Sequence, residues 1–361
     1  MSISPKQADK IKVSGVILVD KPKGMTSQQV VSKVKYLFKS PNHDSKKAGH
    51  TGTLDPMATG LLPICMGEAT KFSHYQLDAD KSYQATILLG AQTDTGDAEG
   101  QIVAQAPIPT FDNALLDKVA HQFLGAQQQI PPMYSALKKD GKKLYEYARA
   151  GIEVERSPRD IVIKAIELKA LDAEQIQLTV TCTKGTYVRV LGEDIAKEMG
   201  TLGHLIALRR TQVGNFNIDA AIALSELEKL AFDDRQVQLM SVDACIDIEA
   251  ELTLRTEQCT RIHMGQRLNV FEQLTEYLKS YMSDRVDSQS FIDIDDNSDK
   301  STRSNISIDD DSDAENTSHD TKPLRHEIPV DIRLVDEDGQ FLGLGAVSLN
   351  GRLQPKKLIQ R

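Results

Sequence analysis

The feature of the sequence that most constrains its fold is a Ser- and Asp-rich stretch at residues 284–320. This stretch holds twelve Asp or Glu and three Lys or Arg. It therefore accounts for the whole formal net charge of −9, because the remaining chain carries 40 residues of each sign. A segment so charged and so poor in aromatic residues buries too little apolar surface to fold. We therefore expect a solvated, disordered insertion with folded domains on either side of it.

Outside that stretch the residue pattern is typical of mixed helices and strands. Residues 13–20 form a β-branched run, and apolar side chains alternate with polar ones over 175–182. Thr26 and Gln29 have the spacing of a capping box, which predicts a helix over about 27–38. Helices and strands do not alternate regularly along the chain. This order favours an α+β fold with a mixed, largely antiparallel sheet.

The pattern of apolar and polar residues changes after about residue 247. Short apolar runs follow, and a DEDG turn at 336–339 joins two of them as a hairpin. These runs predict a small C-terminal β-barrel that the acidic insertion interrupts. We expect an N-terminal tail at 1–12, a first domain at 13–247 and a second domain at 248–361.

Composition and motifs exclude several classes of protein. No stretch approaches the roughly 20 apolar residues of a membrane span, and the N-terminus lacks the apolar core of a signal peptide. The four cysteines are far apart, without a C-x-x-C pair, and are expected to be reduced thiols of a cytoplasmic protein. They are Cys65, Cys182, Cys245 and Cys259.

Motifs for cofactor and metal chemistry are also missing. Asp94-Thr95-Gly96 resembles the aspartic-protease triplet, but that chemistry needs a second copy, which the chain lacks. There is no Walker loop, no H-E-x-x-H and no G-x-S-x-G, and the eight histidines do not cluster at ligand spacing. We therefore expect neither a cofactor nor a metal.

Basic residues are concentrated in three places: Lys33 to Lys47, 138–164 and the last eleven residues. Such runs are often only solvated faces of a protein. Three of them in a body that is neutral overall favour a phosphate-rich partner. The candidates for contact with a nucleic-acid backbone are Lys138, Lys139, Lys142, Lys143 and Arg149.

One acid stands out in the stretch HTGTLDPMATGLLPICMGEATK at 50–71. Asp55 lies between Gly52, Pro56 and Gly60, with an apolar run directly after them. A turn aspartate that satisfies its own backbone is the plain alternative. A lone carboxylate in a stiff turn against an apolar wall is also a suitable catalytic group, and the two interpretations remain open from these residues alone.

Several stretches, taken together and in order, resemble the TruB-type family of bacterial tRNA pseudouridine synthases. The resemblance spans about residues 13–250. It is carried by DKPKGMTS (20–27), GHTGTLDPMATGLLPICMGEATKF (49–72), KSYQATILLGAQTDTGDAEG (81–100), IPPMYSALKKDGKKLYEYARAGIEV (130–154), CTKGTYVRVLGEDIAKEMG (182–200) and LIALRRTQVGNF (205–216). The resemblance implies isomerisation of uridine to pseudouridine at position 55 of tRNA, in the T loop, without a cofactor.

The resemblance also implies the site residues. Asp55 would be the catalytic carboxylate, Tyr83 would stack on a uridine flipped out of the RNA, and Arg189 would form an ion pair with Asp55. The other residues that would form the nucleotide site are His50, Tyr187 and Leu208.

Further expectations follow from the same resemblance. The stretch 130–160 would be an insertion that grips RNA, and the C-terminal barrel would be PUA-like. The acidic insertion would stay outside the RNA interface, since it repels phosphate. We expect the T stem-loop of tRNA as the partner, no protein partner and a monomer. Two alternatives remain: a related pseudouridine synthase that acts on another RNA, with or without a guide RNA, and a tRNA-binding or tRNA-folding module.

Overall fold

The computed structural model describes residues 10–298 and 324–360. The chain divides into two compact units, Met1–Ile246 and Asp247–Arg361. No helix among the described residues is long and apolar enough to cross a membrane.

A ten-stranded sheet forms the frame of the first unit. Only two of its strand pairs are parallel, Ile222–Ala223 with Gly15–Lys21 and Thr59–Met66 with Gly203–Val213. The predicted α+β class with a mixed, largely antiparallel sheet is therefore confirmed. The order across the sheet is Ile222–Ala223, Gly15–Lys21, Thr59–Met66, Gly203–Val213, Lys81–Leu89, Gln175–Cys182, Arg159–Ala170 and Gly125–Gln129, with Ala48–His50 on Thr59–Met66 and Phe216–Asn217 on Gly203–Val213.

Alternation of side chains fixes which face of this sheet is buried. In Gln175–Cys182 the inward positions Ile176, Leu178, Val180 and Cys182 are all at most 1% exposed. Because successive side chains of a strand point to opposite faces, the polar residues between them face outward. The neighbouring strand Lys81–Leu89 is paired so that Tyr83 lies opposite Val180.

Helices cover the sheet of the first unit. Ser27–Leu37 begins at the predicted capping box, in which the Thr26 hydroxyl accepts from the Gln29 backbone N–H. The other helices are Ser73–Asp78, Asn113–Gln122, Leu144–Arg149, Val188–Glu198, Leu224–Lys229 and Phe232–Val237, with 3-10 turns at Gly67–Lys71 and Ile218–Ala220. Short strand pairs join Ile11–Lys12 with His43–Asp44, Ala91–Thr93 with Ile102–Gln105, and Lys138–Lys139 with Lys142–Lys143.

The second unit contains a five-stranded sheet, as expected for a small PUA-like barrel. The strand order is Glu251–Thr253, Val330–Val335, Phe341–Val347, Arg352–Leu358 and Leu268–Asn269. The predicted DEDG hairpin joins Val330–Val335 to Phe341–Val347. Helices Thr256–His263 and Glu276–Ser298 and the 3-10 turns Phe271–Gln273 and Arg325–Glu327 accompany the sheet.

The acidic insertion differs from the expectation over its first part. Residues 284–298 belong to the helix Glu276–Ser298, where disorder was predicted. Leu278, Met282 and Val286 recur every four residues on this helix and are at most 3% exposed in the core of the second unit. Amino-acid composition alone does not reveal this helical spacing of apolar residues. The remainder of the predicted insertion, 299–320, lies outside the described residues.

Candidate active site

Asp55 lies in the loop that connects the strands Ala48–His50 and Thr59–Met66. Glycines on both sides shape this loop. Gly52 and Gly60 have φ of 144° and 102°, which strain any residue with a side chain. At Gly60 an added Cβ would lie only 2.3 Å from the Arg210 backbone oxygen, so the close approach of two strands also requires glycine there.

The segment 20–27 holds the Asp55 loop in place. The Ser27 hydroxyl accepts from the Leu54 backbone N–H at 2.8 Å and donates to the Leu54 carbonyl oxygen at 3.0 Å. The Gly24 N–H donates to the Pro56 carbonyl oxygen at 2.8 Å. Because these bonds fall on the residues immediately before and after Asp55, they fix the backbone that carries the carboxylate.

Arg189 forms the predicted ion pair with Asp55. Its Nε lies 3.0 Å from Asp55 Oδ2, and its side chain is 6% exposed whereas that of Asp55 is 39% exposed. The terminal nitrogens donate to the carbonyl oxygens of Thr95 at 2.6 Å and Tyr134 at 2.8 Å. The guanidinium is therefore fixed, and the exposed part of the Asp55 carboxylate is left for a substrate.

Asp97 is a second carboxylate beside Arg189 that the sequence analysis did not single out. Its Oδ2 lies 3.6 Å from an Arg189 terminal nitrogen, and its side chain is 6% exposed. Asp97 Oδ1 accepts from the Thr95 hydroxyl at 2.7 Å and from the Glu99 N–H at 3.0 Å. It directly follows the Asp-Thr-Gly triplet that resembles a protease motif, and that tight turn is the one local signal that could have marked it.

A cavity of about 350 Å³ opens beside Asp55. Three residues that the family resemblance assigns to the site, Tyr83, Tyr187 and Leu208, line it together with Asp55 and Arg189. Its charged lining consists of this one carboxylate and four cations, Lys81, Lys184, Arg189 and Arg210. The cavity is therefore suited to an anionic ligand with a flat, partly apolar body.

Two lysines beside the loop are buried, and sequence reasoning missed both as site residues. Burial lowers the pKa of Lys21 from 10.5 to about 8, although the charge of Asp55 opposes this shift. Its ammonium donates to the carbonyl oxygens of Met25 at 2.6 Å and Pro22 at 3.0 Å. Burial also lowers the pKa of Lys81 to about 8, helped by the charge of Arg210.

The two tyrosines of the cavity remain protonated well above neutral pH. Burial raises the pKa of the Tyr83 hydroxyl and that of the Tyr187 hydroxyl above the ordinary value of 10.0. The backbone of Tyr187 is fixed by Gln129, whose side chain exchanges two hydrogen bonds with it, at 2.8 and 3.1 Å. Both hydroxyl groups can therefore act as hydrogen-bond donors to a ligand.

His50 is the one catalytic or nucleotide-site candidate that does not line the cavity. It ends the strand Ala48–His50, and its Nδ1 accepts from the Gly52 N–H at 3.3 Å. Burial and the charge of Arg210 lower the pKa of the imidazole, so it is neutral at pH 7. The family resemblance assigns His50 to the nucleotide site, and that assignment remains a prediction.

The basic candidates form a separate hairpin and helix. Lys138–Lys139 pairs with Lys142–Lys143 around a turn at Asp140 and Gly141, whose φ values are 52° and 81°. Positive φ at both turn residues is typical of a two-residue type I′ hairpin. Lys143 and Arg149 each lie 5.4 Å from the ring centre of Tyr145. This arrangement presents several cations on a small structured projection.

No group of His, Cys, Asp or Glu in the described ranges, 10–298 and 324–360, is arranged to hold a metal ion.

Comparison with family descriptions covers most of the chain. Residues 41–188 match "TruB family pseudouridylate synthase (N terminal domain)". Residues 189–247 match "tRNA pseudouridylate synthase B C-terminal domain", and residues 327–359 match "Pseudouridine synthase II TruB, C-terminal".

Curated relatives and solved structures agree with these matches. The chain is 72% identical to the tRNA pseudouridine synthase B of Psychrobacter cryohalolentis, with 100% of both chains covered. It is 51% identical to that of Aromatoleum aromaticum over 71% of this chain and 81% of the relative. In fold it is similar to a Cbf5-Nop10-Gar1 complex chain, with a TM-score of 0.60 at 18% identity, over 95% of this chain and 84% of that one. The chain belongs to the TruB family of pseudouridine synthases, and it is an enzyme of the isomerase class.

Proposed function

We propose that this chain converts uridine to pseudouridine at position 55 of tRNA, in the T loop, and that Asp55 is the catalytic carboxylate. The observation that carries the proposal is the fixed, half-exposed Asp55 carboxylate at the mouth of a cavity, paired at 3.0 Å with a buried arginine. The relatives at 72% and 69% identity are tRNA pseudouridine synthases over their full length, which supports tRNA as the substrate.

The reaction breaks the N1–C1′ bond, turns the uracil and joins C5 to C1′, after which the hydrogen on C5 leaves as a proton. Asp55 acts at the sugar or the base, as a nucleophile or a proton acceptor. Arg189 stabilises its negative charge and aims it, since a guanidinium binds a carboxylate with directed hydrogen bonds. Leu208, which is 7% exposed, keeps water from the detached base.

The target uridine is stacked inside the T loop and must be flipped out to reach Asp55. Tyr83 stacks on the extruded base, and Tyr187 holds the nucleotide from the opposite wall. We assign His50 to the RNA side of the site, where its neutral imidazole fills the space that the uridine leaves. Lys184, which is exposed in the cavity lining, favours the phosphates next to the flipped nucleotide.

The segment 130–160 grips the RNA in this proposal. Its side-chain candidates are Lys138, Lys139, Lys142, Lys143 and Arg149, of which all except Lys143 are exposed. The segment is also tied to the catalytic group, because Arg189 donates to the Tyr134 carbonyl oxygen. Contact with RNA phosphates at the hairpin can therefore be relayed to the ion pair. We also propose that the enzyme acts as a monomer, which suits a protein that binds one RNA arm.

The test follows tritium released from C5 of uridine in a T stem-loop RNA. Wild type should release tritium, whereas Asp55→Asn should bind the RNA and release none. The variant should remain folded, because Arg189 keeps Asp97 and two carbonyl oxygens as partners. Asp80→Asn is the matched control, since Asp80 is a surface carboxylate paired with Lys164.

Three outcomes would contradict the proposal. Release by Asp55→Asn at the wild-type rate would exclude the carboxylate. Release from ribosomal RNA but not from tRNA would assign the enzyme to another substrate. Tight binding of tRNA without any release by wild type would indicate a binding or folding module.

A further inference from the structure

Arg210 lies directly opposite Tyr83 on the neighbouring antiparallel strand. Directly opposed residues of an antiparallel pair project from the same face of the sheet, with Cβ atoms about 4.5–5.5 Å apart. Both side chains line the cavity that contains Asp55. Arg210 is thus a neighbour of the proposed stacking tyrosine, and neither the family resemblance nor the proposed mechanism gives it a role.

The guanidinium of Arg210 is buried and anchored. Only 1% of the residue is exposed. Its Nε donates to the Leu61 carbonyl oxygen at 2.8 Å, and a terminal nitrogen donates to the Gly52 carbonyl oxygen at 3.1 Å. These two carbonyl groups lie on either side of Asp55 in the sequence, so Arg210 binds the backbone both before and after Asp55.

The positive charge of Arg210 is not neutralised by a carboxylate. Among the residues that the structure describes, no acid lies within ion-pair distance of its guanidinium, although an arginine keeps its charge in proteins. The effect of this charge reaches several groups of the site. After burial, it is a cause of the lowered pKa of Lys81, of His50 and, more weakly, of Lys21.

The same charge acts on Tyr83. Burial raises the pKa of the Tyr83 hydroxyl, and the nearby charge of Arg210 opposes that rise. A guanidinium has N–H donors only, so in any hydrogen bond between these opposed residues the tyrosine oxygen is the acceptor. The one hydrogen of the hydroxyl is then free to point elsewhere.

We propose that Arg210 is a positioning residue for Tyr83. Its guanidinium occupies a lone pair of the hydroxyl oxygen, so that the O–H hydrogen points into the cavity and donates to a carbonyl oxygen of the flipped uracil. The inference rests on the proposed function, in which Tyr83 contacts that base. Tyr83 then holds the uracil by its ring and by a directed hydrogen bond, which favours one orientation of the base after the N1–C1′ bond breaks.

A double-mutant cycle tests whether Arg210 acts through Tyr83. Arg210→Met, Tyr83→Phe and the double variant are compared by single-turnover tritium release from the T stem-loop. Arg210→Met should slow release about 10- to 100-fold, the range typical of residues that orient a functional group. Its KM for RNA should stay close to that of wild type, because the buried side chain does not reach the RNA backbone.

The decisive comparison is made in the Tyr83→Phe background. In that background, Arg210→Met should slow tritium release by a much smaller factor than it does in wild type, because the hydroxyl that Arg210 orients is absent. An equal loss in both backgrounds would overturn the proposal. Arg210→Lys keeps the charge without the fork of donors, and an intermediate rate is expected. Arg210→Lys also tests the proposal in the same cycle if Arg210→Met does not fold.

A second readout does not depend on activity. The ring-carbon NMR signal of Tyr83, in protein labelled with 13C-tyrosine and assigned with Tyr83→Phe, is followed against pH. Loss of the cation in Arg210→Met should raise the pKa of Tyr83 above its wild-type value. An unchanged Tyr83 titration would overturn the inference, even in an enzyme that proves inactive on tRNA.

Arg209→Met is the matched control. Arg209 is adjacent in sequence but points away from Tyr83, and its two terminal nitrogens bind Asp20 at 3.0 and 2.7 Å. Release and the Tyr83 titration should both stay as in wild type. If wild type itself releases no tritium, the proposed function fails and the NMR titration alone judges Arg210. If wild type is active but the cycle is additive, only the inference about Arg210 fails.

Discussion

The two units of the chain differ in what they bury. Among the described residues, every buried charged side chain lies in the first unit. These residues are Lys21, Glu68, Lys81, Asp97, Arg189 and Arg210. The buried polar residue of the second unit is Ser348, and the core there is otherwise apolar.

Buried charge is unfavourable for stability unless its partners are well placed. The first unit carries that cost around Asp55, where Lys21, Arg189 and Arg210 each donate to backbone oxygens of the Asp55 loop or of neighbouring segments. The second unit keeps its ion pairs at the surface, as in Lys356–Asp331, where the lysine side chain is 50% exposed. The contrast teaches that buried charge is concentrated in the first unit and that the second is held together mainly by apolar packing.

The largest effect is expected from Arg189→Met. Removal of the guanidinium leaves Asp97 buried without its cation, at a cost of about 3 to 5 kcal/mol in the free energy of unfolding. Tritium release should fall by at least about 10³-fold, because Asp55 is no longer aimed. Chemical denaturation and single-turnover assays measure the two effects. Arg209→Met, which removes a surface arginine, should change neither by a comparable amount.

The next effect separates stability from activity. Ile332→Ala removes a side chain that is 0% exposed in the core of the second unit. It should lower the free energy of unfolding by about 2 to 5 kcal/mol, through lost burial and the cavity left behind. Release by the enzyme that is still folded should remain close to wild type. A loss of activity like that of Arg189→Met would break the contrast between the units.

The third effect depends on pH. The pKa of Lys81 falls from 10.5 to about 8 on folding, because the folded protein disfavours the charged form. Between these two values the unfolded chain binds more protons, so the stability contributed at Lys81 rises with pH. The free energy of unfolding of wild type, relative to Lys81→Met, should be flat below pH 8 and increase from about pH 8 to 10.5. A difference that decreases over this window would contradict the assignment.

The smallest effect is expected at the surface of the second unit. Lys356→Ala removes the ion pair with Asp331, whose two contacts are 2.9 and 2.7 Å long. Exposed pairs of this kind typically contribute between about 0 and 1 kcal/mol. Thermal unfolding at low and high salt should detect little change. A larger loss would mean that surface charge stabilises the second unit more than its apolar core suggests.

Local features were predicted from the sequence with good accuracy. The helix that begins after Thr26 depends on a capping box between residues three apart, and the buried face of Gln175–Cys182 depends on simple alternation. Both signals lie within one element, so they are visible before any tertiary contact is known. The Asp55–Arg189 pair joins distant residues, and it was expected only because of the family resemblance.

What the sequence did not reveal depends on long-range contacts. Arg210 reaches Leu61 across 149 positions, and Arg189 reaches Thr95 across 94. No spacing rule links such residues, so Arg210, Asp97 and the burial of Lys21 went unnoticed. The family resemblance assigned His50 to the nucleotide site, and this residue is not part of the cavity lining. The helix through 284–298 was missed because the composition of the stretch outweighed Val286, which continues the helical spacing of Leu278 and Met282 before it.

The hydrogen bonds that join Ser27 to Leu54 and Gly24 to Pro56 have a thermodynamic consequence. The backbone around Asp55 has already lost its conformational freedom before any RNA arrives. Binding therefore requires little further ordering of the enzyme at this loop, and most of the entropy lost on association comes from the nucleotide. The loop is therefore already ordered in the free enzyme, and we expect the nucleotide, not the enzyme, to change conformation when the two bind.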